Sequence, residues 1–161
     1  MKIEFAPNDI LQINDARIIY RNFSGAPSKF NREGDRDFSV VIPEQDMADA
    51  LMERGWNVKI KPPRDEDDAP LMYLKVKVKF TEFGPNVYLD TNGKRNKLDE
   101  ETIGMIDDIY IIPDGVSLDI RPYDWEINVK TGRTAYLKNM RVIQDVNRGL
   151  DRFAAEYEEE I

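Results

Sequence analysis

Two neighbouring segments in the last third of the sequence alternate apolar and polar residues and then change phase. In one, Val116, Leu118 and Ile120 precede Tyr123, Trp125 and Ile127; in the other, Ala135 and Leu137 precede Met140 and Val142. Alternation with a period of two is typical of a half-buried β-strand, and a phase change indicates a bulge or a sharp bend. Because strongly bent strands let a small sheet close on itself, the sequence predicts a β-barrel.

Shorter elements complete this predicted barrel. Further strands are predicted within residues 11–23, 38–42, 56–60, 71–80 and 87–90. A helix is predicted after Pro43, because Asp46 favours the positive end of a helix dipole and Gly55 suits a helix end. A second short helix is predicted from Asp99 to about Ile106. The fold class is therefore mainly β, with one or two short helices in a single domain.

The strand predicted at 71–80 carries a row of lysines. The order of residues along it is Leu74, Lys75, Val76, Lys77, Val78, Lys79, Phe80. Since successive side chains of a strand point to opposite faces, the three lysines share one face and the apolar residues share the other. The whole chain has a net charge of −8, so this row concentrates positive charge in an acidic protein.

Three segments combine local positive charge with aromatic residues: residues 17–36 have a net charge of +3, residues 71–97 of +4 and residues 121–141 of +3. Phosphates attract repeated cations and unpaired bases stack on flat rings, so this combination indicates single-stranded nucleic acid. Proteins that bind double-stranded DNA more often place a helix in the major groove, and neither predicted helix is basic. A lysine-bearing strand is equally typical of an ordinary solvated sheet face or a protected edge.

Candidate contacts follow from the nucleic-acid interpretation. Lysines of the strand would contact phosphates, and basic residues of the loop near 24–36 would act as a clamp. The candidate nucleic-acid-binding residues are Arg21, Phe23, Lys29, Phe30, Arg32, Arg36, Lys75, Lys77, Lys79 and Tyr88. Within this set Phe23, Phe30 and Tyr88 are predicted to stack on bases, and Phe83 is a further exposed-ring candidate. Both tryptophans, Trp56 and Trp125, are interpreted as core residues.

Histidine and cysteine are absent, which removes the usual general base, thiolate zinc sites and the common nucleophile pairs. No catalytic residue, metal or cofactor is therefore predicted. The acidic run 65–68, set between prolines, is interpreted as a solvated loop. The enzyme alternative is a carboxylate-metal nuclease, which needs two or more acids on one magnesium ion. The acids that suggest themselves are Asp107, Asp108, Asp114 and Asp119.

The end of the chain differs in character from the rest. Residues 151–161 hold five acids and one arginine, so they carry −4 of the total charge of −8. We therefore divide the chain into a domain at 1–150 and an acidic C-terminal tail at 151–161. Such a tail can occupy a basic groove when nucleic acid is absent and contact other proteins once it is displaced. A disordered solubilising end is the alternative.

Four parts of the sequence resemble phage-encoded single-stranded DNA-binding proteins. They are the segment from Arg21-Asn22-Phe23-Ser24-Gly25 to Arg36-Asp37-Phe38, the helix with Gly55-Trp56-Asn57-Val58-Lys59, the lysine strand, and Thr134-Ala135-Tyr136-Leu137-Lys138-Asn139-Met140. The resemblance implies an OB-like five-stranded β-barrel that coats single-stranded DNA without a cofactor. In that family the acidic tail often ends in an aromatic residue, whereas this sequence ends in Ile161.

The leading hypothesis is a non-enzymatic single-stranded DNA-binding protein of phage replication or recombination, largely independent of sequence. Replication or recombination proteins are its expected partners through the tail, and a homo-oligomer is compatible with the sequence. The alternative is a protein-binding module, such as a phage structural or host-inhibitory factor with an acidic surface. No apolar stretch approaches the roughly 20 residues that cross a bilayer, so no membrane contact and a location in the cytoplasm of a bacterial host are expected.

Overall fold

Ten β-strands and one α-helix form the part of the chain that the computed structural model describes, residues 1–147. The strands are β1 (Lys2–Phe5), β2 (Leu11–Ala16), β3 (Ile18–Asn22), β4 (Arg36–Val41), β5 (Val58–Lys61), β6 (Leu71–Val78), β7 (Asn86–Thr91), β8 (Lys94–Leu98), β9 (Ile111–Ile127) and β10 (Lys130–Gln144). The helices are α1 (Gln45–Glu53) and two 3-10 turns at Pro7–Asp9 and Ile103–Asp107. The predicted acidic tail, 151–161, lies outside the described residues.

The strands form one continuous, strongly branched sheet. Its main order is β1-β2-β9-β10-β6-β4-β3; β5 pairs with β6, while β7 pairs with β10 and β8. Strand β10 runs parallel to β6 and β7, and the other pairs are antiparallel. The mainly β prediction is confirmed. The sheet has ten strands instead of the predicted five and is not closed into a barrel, because β1 and β3, at the two ends of its main order, do not pair, and β5, β7 and β8 extend it as branches.

The core is formed by the apolar faces of the long strands. Alternate residues of β6, Leu74, Val76 and Val78, are buried, and Phe23 stacks on Phe38 with ring centroids 4.9 Å apart. Helix α1 covers one end by burying its Leu51 and Ala48. Complete burial of one such aliphatic or aromatic side chain contributes about 1.5–3 kcal/mol, which holds the strand faces in this orientation.

Both predicted helical segments are present. Helix α1 begins after Glu44, and Gly55 follows its end with a φ of +89°, a conformation that glycine adopts without strain. The second segment is a 3-10 turn, before which the Asp99 carboxylate accepts hydrogen bonds from the backbone of Glu101 and Thr102. Among residues 1–147, no helix has the length and apolar character needed to cross a membrane.

The two phase changes have different structural causes. In β10 the register shifts between Leu137 and Asn139, so Lys138 is the extra residue of a bulge, as predicted. In β9 the register with β10 is continuous from Ile120 to Ile127, so of the bulge or sharp bend predicted there, the bulge is wrong. The β9–β10 hairpin instead extends beyond the core. The apolar side chains of Tyr123, Trp125 and Ile127 therefore lie on the outer face of the sheet, since the inner face of the hairpin has no core to pack against.

Candidate nucleic-acid interface

The lysine row lies on the outer face of β6. Because Leu74, Val76 and Val78 point into the core, Lys75 and Lys77 point outward, and Lys79 follows directly after the strand. Strand β4 flanks the row on one side, and β5 and β10 flank it on the other. Side chains two residues apart in a strand repeat at about 6.7 Å. The strand therefore holds three ammonium groups in a regular line on a rigid surface.

These lysines are mostly without a compensating charge. The Nζ of Lys75 lies 3.7 Å from Oδ2 of Asp37, which comes from the neighbouring strand β4. Lys77 and Lys79 form no ion pair with any residue in the range 1–147. Two full positive charges of the row therefore remain available to an anionic ligand.

A depression of about 550 Å³ lies on the loop side of the lysine row. The lysines form one part of its lining; the residues that complete it include Phe30, Arg36, Phe80 and Tyr136. The side chain of Phe30 is 92% exposed, with the Nζ of Lys29 5.7 Å from its ring centroid. A cation row therefore lies next to an aromatic ring that is almost fully exposed.

Hydrogen bonds order the loop that presents Phe30. The two carboxylate oxygens of Asp107 accept bonds from the backbone N–H groups of Phe23 (2.7 Å) and Ser24 (3.0 Å). The Nε of Arg36 donates to the Phe23 carbonyl at 2.9 Å, and the Nδ2 of Asn31 donates to three carbonyls inside the loop. The loop is thus tied at its base and at its centre, which presents Phe30 in a defined place.

Two further depressions adjoin the first. One of about 300 Å³ contains Lys79, Phe83, Arg121 and Lys138, and the Phe83 ring is 86% exposed. The other, of about 630 Å³, contains Lys75 and Lys77 and reaches the β9–β10 hairpin. Since each shares lysines with the central depression, we call the three together the lysine groove.

Strands β9 and β10 provide an aromatic and cationic floor beside the lysines. The guanidinium of Arg121 lies 4.7 Å from the ring centroid of Tyr136, its register partner. The ring of Tyr123 meets Tyr136 edge to face at 6.1 Å. Tyr136 is in turn the register partner of Lys77, so these rings lie beside the lysine row, on the strands next to β6.

The hairpin that borders the groove is held by one arginine. Arg133 donates two hydrogen bonds to the carboxylate of Asp124, of 2.7 and 3.0 Å, and a third to the carbonyl of Arg54 at 3.1 Å. This guanidinium holds the pKa of Asp124 below its usual value through hydrogen bonding, against a smaller opposing effect of burial. The pair keeps the hairpin in register next to α1.

The structure brings only part of the predicted site together. Lys75, Lys77, Lys79, Phe30 and Arg36 line the lysine groove. Lys29 lies beside Phe30, and Arg32 is exposed on the same loop without lining the groove. The guanidinium of Arg36 is largely occupied within the protein. It donates hydrogen bonds to the Phe23 and Glu100 carbonyls and lies 3.5 Å from the Glu100 carboxylate.

Three predicted residues lie elsewhere. Arg21 donates to the carbonyls of Ile106 and Ile109, so its guanidinium supports the fold. Phe23 is fully buried, which removes its ring from contact with a base. Tyr88 lines a separate depression with Arg95 and Arg141 and shares no lining residue with the groove. We therefore do not include these three in the interface.

Sequence reasoning missed several groove residues, namely Arg121, Tyr136 and Lys138. They belong to the basic segment 121–141, so the sequence showed that the segment is positively charged. It did not show which face of the sheet these three side chains occupy. The bulge at Lys138 turns that lysine outward beside Phe83, and the register of β10 with β6 places Tyr136 beside Lys77. Only the pairing of distant strands determines these neighbours.

The acids of the nuclease alternative are not collected in one place. Asp107 accepts two backbone hydrogen bonds at the base of the loop, and Asp119 accepts one from Asn139. Over the range 1–147, no group of three or more acids is arranged to hold a metal ion.

Comparisons with known proteins identify the family of the chain. A family model described as "Putative phage ssDNA-binding domain" matches residues 2–156, nearly the whole sequence. The chain belongs to this family of phage single-stranded DNA-binding domains. The family supports the leading hypothesis over the protein-binding alternative. A search of the curated proteins gives no match.

Solved structures of a single-stranded DNA-binding protein from bacteriophage Enc34 share the fold. Its complex with ssDNA has a TM-score of 0.56 at 17% identity, covering 89% of this chain and 90% of that one. A second structure of that protein has a TM-score of 0.55 at 14% identity, covering 98% of this chain and 99% of that one. Its C-terminal truncation has a TM-score of 0.53 at 18% identity, covering 84% and 86%. This likeness confirms the OB-like fold.

Proposed function

We propose that this protein coats single-stranded DNA through the lysine groove, largely independently of sequence, during phage replication or recombination. The observation that carries the proposal is the line of Lys75, Lys77 and Lys79 on β6, with two ammonium groups that have no acidic partner within residues 1–147. Membership of the phage ssDNA-binding family supports the choice of ligand. The role is binding rather than catalysis.

The two kinds of groove residue serve different parts of the ligand. Ammonium groups in a line attract successive phosphates, and each contact releases a condensed counterion, which makes the affinity depend on salt. The rings of Phe30, Phe83 and Tyr136 offer flat faces to unpaired bases, and every base has such a face. Stacking therefore adds affinity without selecting a sequence, as a coating protein requires.

The test is the affinity for a fluorescently labelled oligothymidine, measured by anisotropy at several salt concentrations. We expect tight binding at low salt that weakens steadily as salt increases. Replacing Lys75, Lys77 and Lys79 together by glutamine should make the slope of log affinity against log salt less steep by about 1.4 to 2, at about 0.7 for each phosphate contact, because Lys77 and Lys79 are free and Lys75 is partly paired with Asp37. Matched RNA and duplex DNA in the same assay define the nucleic-acid preference.

A second triple variant controls for net charge. Glutamine at Lys2, Lys94 and Lys97 removes the same three charges from exposed positions on β1 and β8 that do not line the groove. We expect this variant to keep most of the wild-type affinity. Equal losses in both variants would contradict the groove and indicate a general charge effect, and no binding by the wild type at low salt would reject the function.

We further propose that the acidic tail, 151–161, competes with DNA for the groove and recruits replication or recombination proteins when DNA displaces it. Its charge of −4 supports this role, because the tail is tethered to a surface of opposite sign.

A further inference from the structure

The indole of Trp125 lies directly against the backbone of Gly132. These two residues are register partners across the β9–β10 hairpin. A Cβ built on Gly132 would lie 2.3 Å from Cζ2, 2.5 Å from Cε2 and 3.0 Å from Nε1 of Trp125. Atoms from both rings of the indole therefore cover the space that a side chain would need. Trp125 is therefore in close contact with the Gly132 backbone on this side of the ring but is only half-buried overall, so part of the indole is left for another contact.

Trp125 is not a core residue, in contrast to Trp56. Trp56 is 2% exposed, whereas Trp125 is half-buried in the part of the hairpin that extends past the core. On the same outward face Tyr123 and Ile127 are exposed. Trp125 also lines the 630 Å³ end of the lysine groove, together with Lys59, Lys75 and Lys77. A large aromatic ring thus lies beside the lysines that are proposed to bind phosphates, and it does not pack in the core.

We infer that Trp125 forms a stacking subsite for one unpaired base at the hairpin end of the lysine groove. The inference rests on the proposed function and extends the path of the strand beyond the lysine row. The indole is the largest aromatic surface among side chains, and a base that stacks on it adds a contact independent of sequence. Lys59, Lys75 and Lys77 lie where they can contact the phosphates on either side of that base.

The hairpin gives this subsite a fixed position. Its strands are held by the two hydrogen bonds from Arg133 to Asp124 and tied to the end of α1 by the bond from Arg133 to the Arg54 carbonyl. A ring that is already ordered loses little conformational freedom when a base stacks on it, so more of the stacking energy contributes to affinity.

Intrinsic fluorescence can isolate this residue, because the chain has only two tryptophans. Trp56 is buried, with the Arg133 guanidinium 5.2 Å from its ring. We expect saturating oligothymidine to quench the emission of the wild type. Trp125→Phe should lose most of that quenching while it still binds a labelled oligonucleotide. Trp125→Leu should weaken binding at least about fivefold, the lower range for one stacked base.

Gly132→Ala tests the geometry without removing the indole. The new methyl group would collide with the ring at 2.3 Å and force it from its position, while the backbone of Gly132 is not in the left-handed region. We expect weaker quenching and an affinity reduced like that of Trp125→Leu. Val129→Ala is the control, because Val129 is a 96% exposed apolar residue at the turn of the same hairpin and lines none of the groove. It should behave as the wild type.

The outcomes separate the inference from the proposed function. Wild-type binding with unchanged affinity in Trp125→Leu and full quenching in Trp125→Phe would overturn the subsite and leave the lysine groove intact. Wild-type affinity and quenching in Gly132→Ala would also overturn it. If the wild type binds no oligonucleotide at low salt, both the function and the subsite are rejected. Thermal melting of each variant identifies any loss of affinity that comes from unfolding.

Discussion

The ammonium of Lys75 lies 3.7 Å from the carboxylate of Asp37, across the pairing of β6 with β4. Asp37 thereby forms an ion pair with the first lysine of the row. Lys77 and Lys79 form no ion pair with any residue in the range 1–147. The lysine row therefore contains one cation that is partly occupied by the protein itself. An anionic ligand has to compete with Asp37 at that end of the groove.

Removal of this carboxylate should strengthen DNA binding. We expect Asp37→Asn to raise the affinity for oligothymidine a few-fold at low salt, because Lys75 becomes free and an acid leaves the groove. The salt slope should become steeper by up to about 0.7, the value of one more phosphate contact. The control is Asp46→Asn on α1, which makes the same change of charge on an exposed helix outside the groove. Equal gains in both variants would contradict a local effect.

Phe30 and Tyr88 should differ in their contribution to binding, although the sequence pattern suggests both. Phe30 borders the lysine groove with an almost fully exposed ring, whereas Tyr88 lines a separate depression. We expect Phe30→Leu to weaken oligothymidine binding at least about fivefold and Tyr88→Leu to change it by less than about twofold. Anisotropy titration at one salt concentration distinguishes them. A larger loss in Tyr88→Leu would move the DNA path to β7.

Truncation after Leu150 tests the acidic tail. We expect the shortened protein to bind oligothymidine more tightly than the full chain at low salt, because a tethered charge of −4 no longer competes for the groove. The difference should shrink at higher ionic strength, where the attraction is screened. Affinities that are equal at all salt concentrations would instead assign the tail a purely solubilising role.

The Arg133–Asp124 pair should make stability depend on acid pH. Hydrogen bonds from Arg133 lower the folded-state pKa of Asp124 below its ordinary value of 3.8. The carboxylate thus stabilises the fold above that value, and this stabilisation is lost as the pH falls through the lowered pKa. Because Asp124 is largely exposed, we expect Arg133→Gln to cost only about 0.5–1 kcal/mol from the ion pair at neutral pH.

Urea unfolding at pH 7 and at pH 2.5 measures this effect. The difference between the wild type and Arg133→Gln should be smaller at the lower pH, because pH 2.5 lies below the ordinary Asp124 pKa of 3.8 and the stabilisation from the lowered pKa is lost as the pH falls. Lys130→Gln removes a charge from the same hairpin without breaking the pair and serves as the comparison. A difference that stays constant between the two pH values would mean that Arg133 acts through its packing on Trp56 and its hydrogen bond to the Arg54 carbonyl rather than through the ion pair.

Local patterns predicted what depends on near neighbours in the chain. The alternation in β6 correctly places Lys75 and Lys77 on one exposed face, with Lys79 directly after the strand, since a strand must turn successive side chains to opposite sides. The phase change in β10 correctly predicted a bulge. The similar change in β9 has another cause, because it marks the point where the hairpin leaves the core, and a sequence pattern does not reveal where a core ends.

Whether a side chain is free to contact DNA depends on partners that are distant in sequence, so local patterns do not predict it. Arg21 resembles other loop cations, yet it donates to carbonyls 85 and 88 residues further along the chain. Phe23 begins a basic loop and yet is buried against Phe38. Trp125 resembles a core tryptophan and yet lies at the groove, because the β9–β10 hairpin extends beyond the core.

The sequence by itself determined the β character, the lysine face of β6, the absence of histidine and cysteine chemistry, and the family to which the chain belongs. The first three follow from residue type and from periodicity over a few positions, whereas the family follows from a match over residues 2–156. The tertiary structure alone decided which cations remain free, which rings are exposed, and that β10 lies beside β6 and so completes the groove with Arg121, Tyr136 and Lys138. The physical reason is that hydrogen-bond partners and burial are set by strand pairing between segments distant in the chain.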